Sequence, residues 1–240
     1  VDEGTLTGSN VSAAQCLTNI EGGPLVFFDS GESAIYAWDE TNGLVVHTTS
    51  ADLENNIPNI TGDIDRCSGV TSGNGFVYFS FRNSTEDVEN IYRTEAADAS
   101  NFATIEFDGA SGLAVDPSNL YIASVSGNGA PGDGIYEVSN DLSTTPSEVA
   151  SDADLSIVAI DVGSGVVYGY SNDSGTGSFN QAFFSLDLNA PGSGFSQLAE
   201  AFGAGSPLSA GGVGIRDVEF IDFEGTPFLV AYNQSFNGPD

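Results

Sequence analysis

The chain contains no lysine and no methionine, one histidine, one tryptophan and two cysteines among its 240 residues. Its basic side chains are four arginines, Arg66, Arg82, Arg93 and Arg216, set against 34 acidic residues, for a formal charge of −30. Each shortage removes a class of function. Binding to DNA or RNA needs a basic face that displaces counterions from phosphates, and four scattered arginines do not make one. An anionic bilayer surface repels such a chain. Schiff-base chemistry needs a lysine. A Ser-His-Asp triad would have to use His47, which alternates with Val46 and Thr48 in "LVVHTTS", and no G-x-S-x-G elbow accompanies it. Zinc sites draw on several His or Cys ligands, and one His with two distant cysteines does not supply them. No apolar run approaches the ~20 residues that carry a helix across a bilayer, so membrane insertion is not expected. "GNGAPG" (Gly127 to Gly132) fits G-x-G-x-x-G, but it carries Pro131 and leads into an apolar run of strand type. It therefore reads as a loop and not as a phosphate cradle.

What the chain does have is material for a core: 40% of residues are hydrophobic and 10% aromatic. Global disorder is excluded on that ground. The acids are spread along the chain, which fits a solubilising surface in salty water. The sharper alternative is multivalent cation binding by grouped carboxylates. The sequence opens at Val1 without a basic segment and an apolar run behind it, as a mature or trimmed form would. Cys16 and Cys67 fit one disulfide of an exported protein. Sequons at Asn10, Asn59, Asn83, Asn172 and Asn233 suit glycosylation on an extracellular surface, although a chain rich in Asn, Ser and Thr generates such triplets by chance.

The clearest signal is repetition. "GLAVD" (Gly112 to Asp116), "NLYIASVS" (Asn119 to Ser126), "GIYEVS" (Gly134 to Ser139) and "SEVAS" (Ser147 to Ser151) form four short runs of strand type. The same order recurs downstream in "IVAID", "VVYGYS", "AFFSLD" and "FSQLAEAF", and upstream in "CSGVTSGNGFVYFSF", "NIYRTE" and "ATIEF". It recurs again in "CLTNIEGGPLVFFD", "AIYAWD" and "LVVHTTS", while "VEFIDFEGTPFLVAYN" supplies only the first two runs of a last copy. The third runs align at Ile35, Ile91, Ile135 and Phe183, a period of roughly fifty residues, which is the size of a propeller blade of four strands. Tyr36, Tyr92, Tyr136 and Phe184 then share one repeat position, as do Trp38, Thr94, Val138 and Leu186, and recurrence of this kind indicates packing between blades. The expectation is an all-β chain, a single β-propeller domain over residues 1–240. Its repeats lie near 15–60, 61–108, 109–155, 156–210 and 211–240, the last joined by 1–14.

"GLAVDPSNLYIAS…GIYEVS" resembles the NHL and related six-bladed β-propeller repeats, in which an inner strand ends in Asp and a G-N-L-Y-type turn leads to the next strand. The resemblance is best over residues 112–139 and fair over 157–187. It departs from the NHL type in lacking the basic, His-containing segment before the third strand. It implies a fold, and a fold does not imply a function.

Five blades of about four antiparallel strands leave the fifth short. Three outcomes are open: the N-terminal segment completes it, the chain is a piece of a larger propeller, or a neighbouring molecule supplies the missing strand, because an open sheet edge invites another strand. Asp116, Asp161 and Asp222 end the first runs of successive repeats and are the candidate ligands for Ca2+, which takes six to eight oxygens. The competing reading has each Asp accepting backbone N–H groups in its own turn. No catalytic residue and no other cofactor is identified. The functional expectation is a non-enzymatic extracellular module, structural or binding, that self-associates by β-strand addition into an oligomer or filament, with a glycan or cell-surface partner as a further option. The alternative is a cation-dependent hydrolase of lactonase type with axial carboxylates.

Overall fold

The computed structural model describes residues 13–20, 23–58, 64–83, 88–97, 99, 101–125, 131–172, 181–200, 213–223 and 226–235. The strands fall into two compact units, Val1–Phe107 and Asp108–Asp240. In the first unit β1 (Ala14–Asn19), β2 (Leu25–Asp29), β3 (Ala34–Asp39) and β4 (Gly43–Thr48) form one antiparallel sheet in sequence order. Helix α1 (Ser50–Asn56) follows, and then a second sheet of β5 (Arg66–Gly73), β6 (Phe76–Asn83), β7 (Val88–Glu95) and β8 (Phe102–Glu106). The second unit holds a third sheet of β9 (Ala110–Val115), β10 (Asn119–Ser124), β11 (Gly134–Ser139) and β12 (Ser147–Ser151). Its fourth sheet is β13 (Ile157–Gly163), β14 (Val166–Ser171), β15 (Ala182–Asp187) and β16 (Ser196–Glu200). The fifth sheet is a hairpin of β17 (Val213–Phe223) and β18 (Thr226–Ser235).

Register makes these sheets copies of one another. Tyr36, Tyr92, Tyr136 and Phe184 stand opposite Phe27, Phe79, Ile122 and Gly169 of the second strands, one per sheet. In three sheets the third and fourth strands slip register at the same place, between Ile35 and Tyr36, Ile135 and Tyr136, and Phe183 and Phe184. All five sheets also carry an irregularity near the start of the first strand, at Gln15/Leu17, Cys67/Gly69, Ala110/Gly112, Ile157/Ala159 and Ile215/Asp217. A bulge inserts one residue on one strand and increases local twist. The hairpin joining β5 and β6 uses Asn74 and Gly75, both at positive φ, which matches the right-handed twist of the strands it connects.

The second strand of each four-stranded sheet carries buried residues on both faces. Along β6, Val77, Phe79 and Phe81 point one way and Tyr78 and Ser80 the other, and every one is buried. Val26, Phe28 and Ile35 of the first sheet join Val77, Phe79, Phe81 and Tyr92 of the second in one core, to which α1 adds Leu53. The Phe28 and Phe81 rings lie 4.8 Å apart. The helix was not foreseen from the sequence. Its start is fixed by a capping box in which Thr49 and Asp52 each accept the other's backbone N–H, a device worth about 1 kcal/mol. In the second unit, Tyr121, Ala123 and Ile135 of the third sheet pack with Ile160, Val167, Phe184 and Leu186 of the fourth. Tyr170 of the fourth packs in turn with Val218, Leu229 and Ala231 of the fifth.

First strands of neighbouring sheets are tied together directly. Cys16 and Cys67 form a disulfide between β1 and β5, with Cα atoms 6.0 Å apart. The Cys67 N–H donates to Gln15 Oε1 at 3.0 Å, and Ser72 Oγ donates to the Asn19 carbonyl at 2.9 Å. In the second unit Ser111 Oγ donates to the Ile157 carbonyl, and a Cβ on Gly112 would come within 3.2 Å of the Ala159 Cα. Replacing both cysteines by serine opens a cross-link that spans 51 residues. The expected loss is about 2–4 kcal/mol of stability, read from denaturant unfolding of oxidised wild type against the double variant.

Candidate functional site

The three aspartates proposed as ion ligands do not occupy one repeat position. The hairpins after β9, β13 and β17 have their last paired positions at Asp116/Asn119, Gly163/Val166 and Phe223/Thr226. Counted back from these, Asp116 is at the closing pair itself, Asp222 is one residue earlier and Asp161 two earlier, opposite Tyr168. The Asp222 side chain itself lies outside the described residues.

The other two carboxylates are engaged locally. Asp116 Oδ1 accepts the N–H groups of Ser118 and Asn119, both at 2.7 Å, which is the Asx-turn reading of "DPSN". Its Oδ2 accepts the Tyr121 hydroxyl at 3.0 Å, and burial pushes that phenol up to about 12. Asp161 accepts the Val162 N–H at 2.8 Å and the Phe220 N–H at 2.7 Å. The second bond reaches from the fourth sheet to the fifth, so Asp161 joins sheets. Burial raises its pKa above the ordinary carboxylate value, against the lowering effect of those two N–H groups. Beside it, a Cβ on Gly163 would lie 2.2 Å from the Phe220 ring, which stacks on Tyr168 at 4.9 Å. Among the described residues no three of His, Cys, Asp and Glu gather as metal ligands would.

Of the sequon asparagines, Asn172 is exposed just after β14, while Asn83 at the end of β6 is only 4% exposed. Asn10 and Asn59 lie outside the described residues, as does the side chain of Asn233. The loop at Gly127 to Gly132 is described only from Pro131 onward. His47 joins the two sheets of the first unit: Nε2 lies 3.0 Å from the Glu95 carbonyl, to which it donates, and Nδ1 lies 2.9 Å from Thr48 Oγ1.

The feature that differs from its repeats is the fifth sheet. Where the other four sheets have third and fourth strands, no described strand pairs with the outer edge of β18. This strand, "TPFLVAYNQS", has no charged residue, in a chain with 34 acidic ones. Its inward face, Leu229 and Ala231, packs on the fourth sheet, whereas Phe228 and Val230 are 49% and 48% exposed. The strand count was legible in the sequence. The exposure of this face follows only from register, which pairs Phe228 with Ile221 and Val230 with Glu219.

No family model matches the chain, and no curated protein sequence matches it. Among solved structures it is similar to a streptogramin B lyase, with a TM-score of 0.58 and 14% identity over 97% of this chain and 72% of that one. It is also similar to a gluconolactonase of Xanthomonas campestris, with a TM-score of 0.56 and 14% identity over 87% of this chain and 65% of that one. Virginiamycin B lyase of Staphylococcus aureus gives a TM-score of 0.55 and 13% identity over 88% of this chain and 61% of that one. The chain thus spans under two thirds of the length of two of these three proteins. Likeness at this identity is a likeness of fold, and the fold is the all-β propeller.

Asp161 yields a test with a sign. Asp161→Ala leaves the Phe220 N–H without its acceptor, and the expected cost is about 1–3 kcal/mol. A carboxyl whose folded pKa is raised contributes more stability below its unfolded pKa and loses that share as pH rises through the folded value. The gap between wild type and variant is therefore expected to widen on acidification through the carboxylate range, measured by urea unfolding at a series of pH values.

Proposed function

We propose that this chain is a non-catalytic propeller module, exported from the cell, that associates with itself by β-strand addition along β18. The observation that carries the reading is an uncharged ten-residue strand with no described partner on its outer edge. Natural sheet edges are normally protected by charges, prolines, bulges or a covering segment. Here Pro227 stands at the start of β18 and the following eight residues carry no charge. Backbone N–H and C=O groups along such an edge supply a ladder of hydrogen bonds to any added strand. The disulfide between Cys16 and Cys67 supports an oxidising location.

A second reading, a cation-dependent hydrolase of the lactonase kind, has the likeness to a gluconolactonase in its favour. It requires carboxylates free to bind a cation, whereas Asp116 and Asp161 each serve two backbone N–H groups. Heat released on titration with millimolar Ca2+ would revive this reading.

Self-association predicts that mass measured by light scattering after size exclusion rises with protein concentration. With a formal charge of −30, copies repel at low ionic strength, so the rise is steeper in molar salt, where the Debye length falls to about 3 Å. A constant monomer mass under both conditions overturns the proposal.

A further inference from the structure

We infer that the first unit binds an ordered water molecule between its two sheets, held by the hydroxyl groups of Tyr92, Thr94 and Thr48. One face of β7 carries Asn90, Tyr92 and Thr94, which stand opposite Phe81, Phe79 and Val77 of β6. Those three β6 side chains and Tyr92 share a core with Val26, Phe28 and Ile35, so this is the face of β7 that meets the first sheet. Asn90, Tyr92 and Thr94 are all 0% exposed. Yet Tyr92 Oη, Thr94 Oγ1 and both amide atoms of Asn90 make no hydrogen bond among the described residues. Buried polar atoms of native proteins are satisfied by protein or by water, because an orphaned one forfeits its hydration with no return.

Thr48, itself buried, brings the first sheet to this spot. His47 Nε2 donates to the Glu95 carbonyl at 3.0 Å, which sets the end of β4 against the residue that follows Thr94. Burial pushes the Tyr92 phenol above its ordinary value, and the nearby hydroxyls of Thr94 and Thr48 act in the opposite direction. Neither makes a direct hydrogen bond with Tyr92. Polar groups that are neighbours without touching are the setting of a bridging water. Tyr170 in the second unit is the contrast. It too is 0% exposed with an orphaned hydroxyl. Its neighbours are apolar, Val218, Leu229 and Ala231 among them, and burial pushes its phenol up to about 12. A buried water takes two to four polar partners, which the first site offers and the second does not.

The donors and acceptors select water over an ion. With Nε2 donating to Glu95, the neutral His47 ring leaves Nδ1, 2.9 Å from Thr48 Oγ1, to accept the Thr48 hydroxyl proton. Thr48 Oγ1 then keeps a lone pair for a water proton, while the Tyr92 and Thr94 hydroxyls can each donate or accept. An anion would need donors alone, and a hard cation would need several oxygen acceptors, carboxylates above all. The carboxylate that acts on Tyr92 is Asp52, which is exposed and already engaged with Thr49 in the capping box. The water is thus a polar tie between β4 and β7 inside a core that is otherwise apolar.

The test combines a high-resolution crystal structure of the full chain with urea unfolding of Tyr92→Phe, Thr94→Val and the double variant. A water is expected within about 2.7–3.0 Å of both Tyr92 Oη and Thr94 Oγ1. Each single variant is expected to raise the unfolding equilibrium constant about threefold to tenfold. The double variant is expected to cost less than the sum of the two, because either change releases the same molecule. Tyr170→Phe serves as the reference, since removing a hydroxyl that binds nothing leaves stability unchanged or improved. A direct hydrogen bond between Tyr92 and Thr94 with no water between them overturns the inference. So does a Tyr92→Phe variant as stable as wild type, for its hydroxyl would then be as idle as that of Tyr170.

Discussion

The constraint behind this structure is that a sheet apolar on both faces is stable only when both faces are covered. A hairpin or a lone sheet cannot meet that condition, so the repeat has to stack. Tyr168 on Phe220 and Phe28 against Phe81 are the local form of the rule. The ties between first strands serve the same end, since they hold sheets at the separation the side chains need. Glycine stands where a Cβ would press on a neighbour, the Ala159 backbone at Gly112 and the Phe220 ring at Gly163.

The same constraint separates structural from functional reading. Asp161 looks like a ligand when letters are aligned, because it ends "IVAID" as Asp116 ends "GLAVD". Register shows that it is two residues out of phase and holds the Phe220 N–H of the next sheet. Its raised pKa has an ordinary origin in burial at that junction. Perturbed titration at a packed interface is a poor guide to chemistry when the group already has two donors.

Much of the fold was legible because strand patterning survives in each repeat. The aligned aromatic positions, Tyr36, Tyr92, Tyr136 and Phe184, are true structural equivalents. The disulfide was readable because Cys16 and Cys67 fall at matching places in successive copies. What escaped was anything decided by a single inserted residue. The irregularity at the start of each first strand has no compositional mark, occurring around Cys16, Ser68, Ser111, Val158 and Arg216 alike. Helix α1 escaped too, since its seven residues carry one buried apolar side chain, Leu53, and too little periodicity to register. The open face of β18 needed the pairing register before its exposed side could be told from its covered one.

The bridge between β1 and β5 has a mechanical meaning. Tension on the first sheet is shared between a covalent bond into the second sheet and the hydrogen bonds and apolar contacts beside it. Sheets held by packing alone slide apart one contact at a time under tension, whereas these two move as one shackled plate.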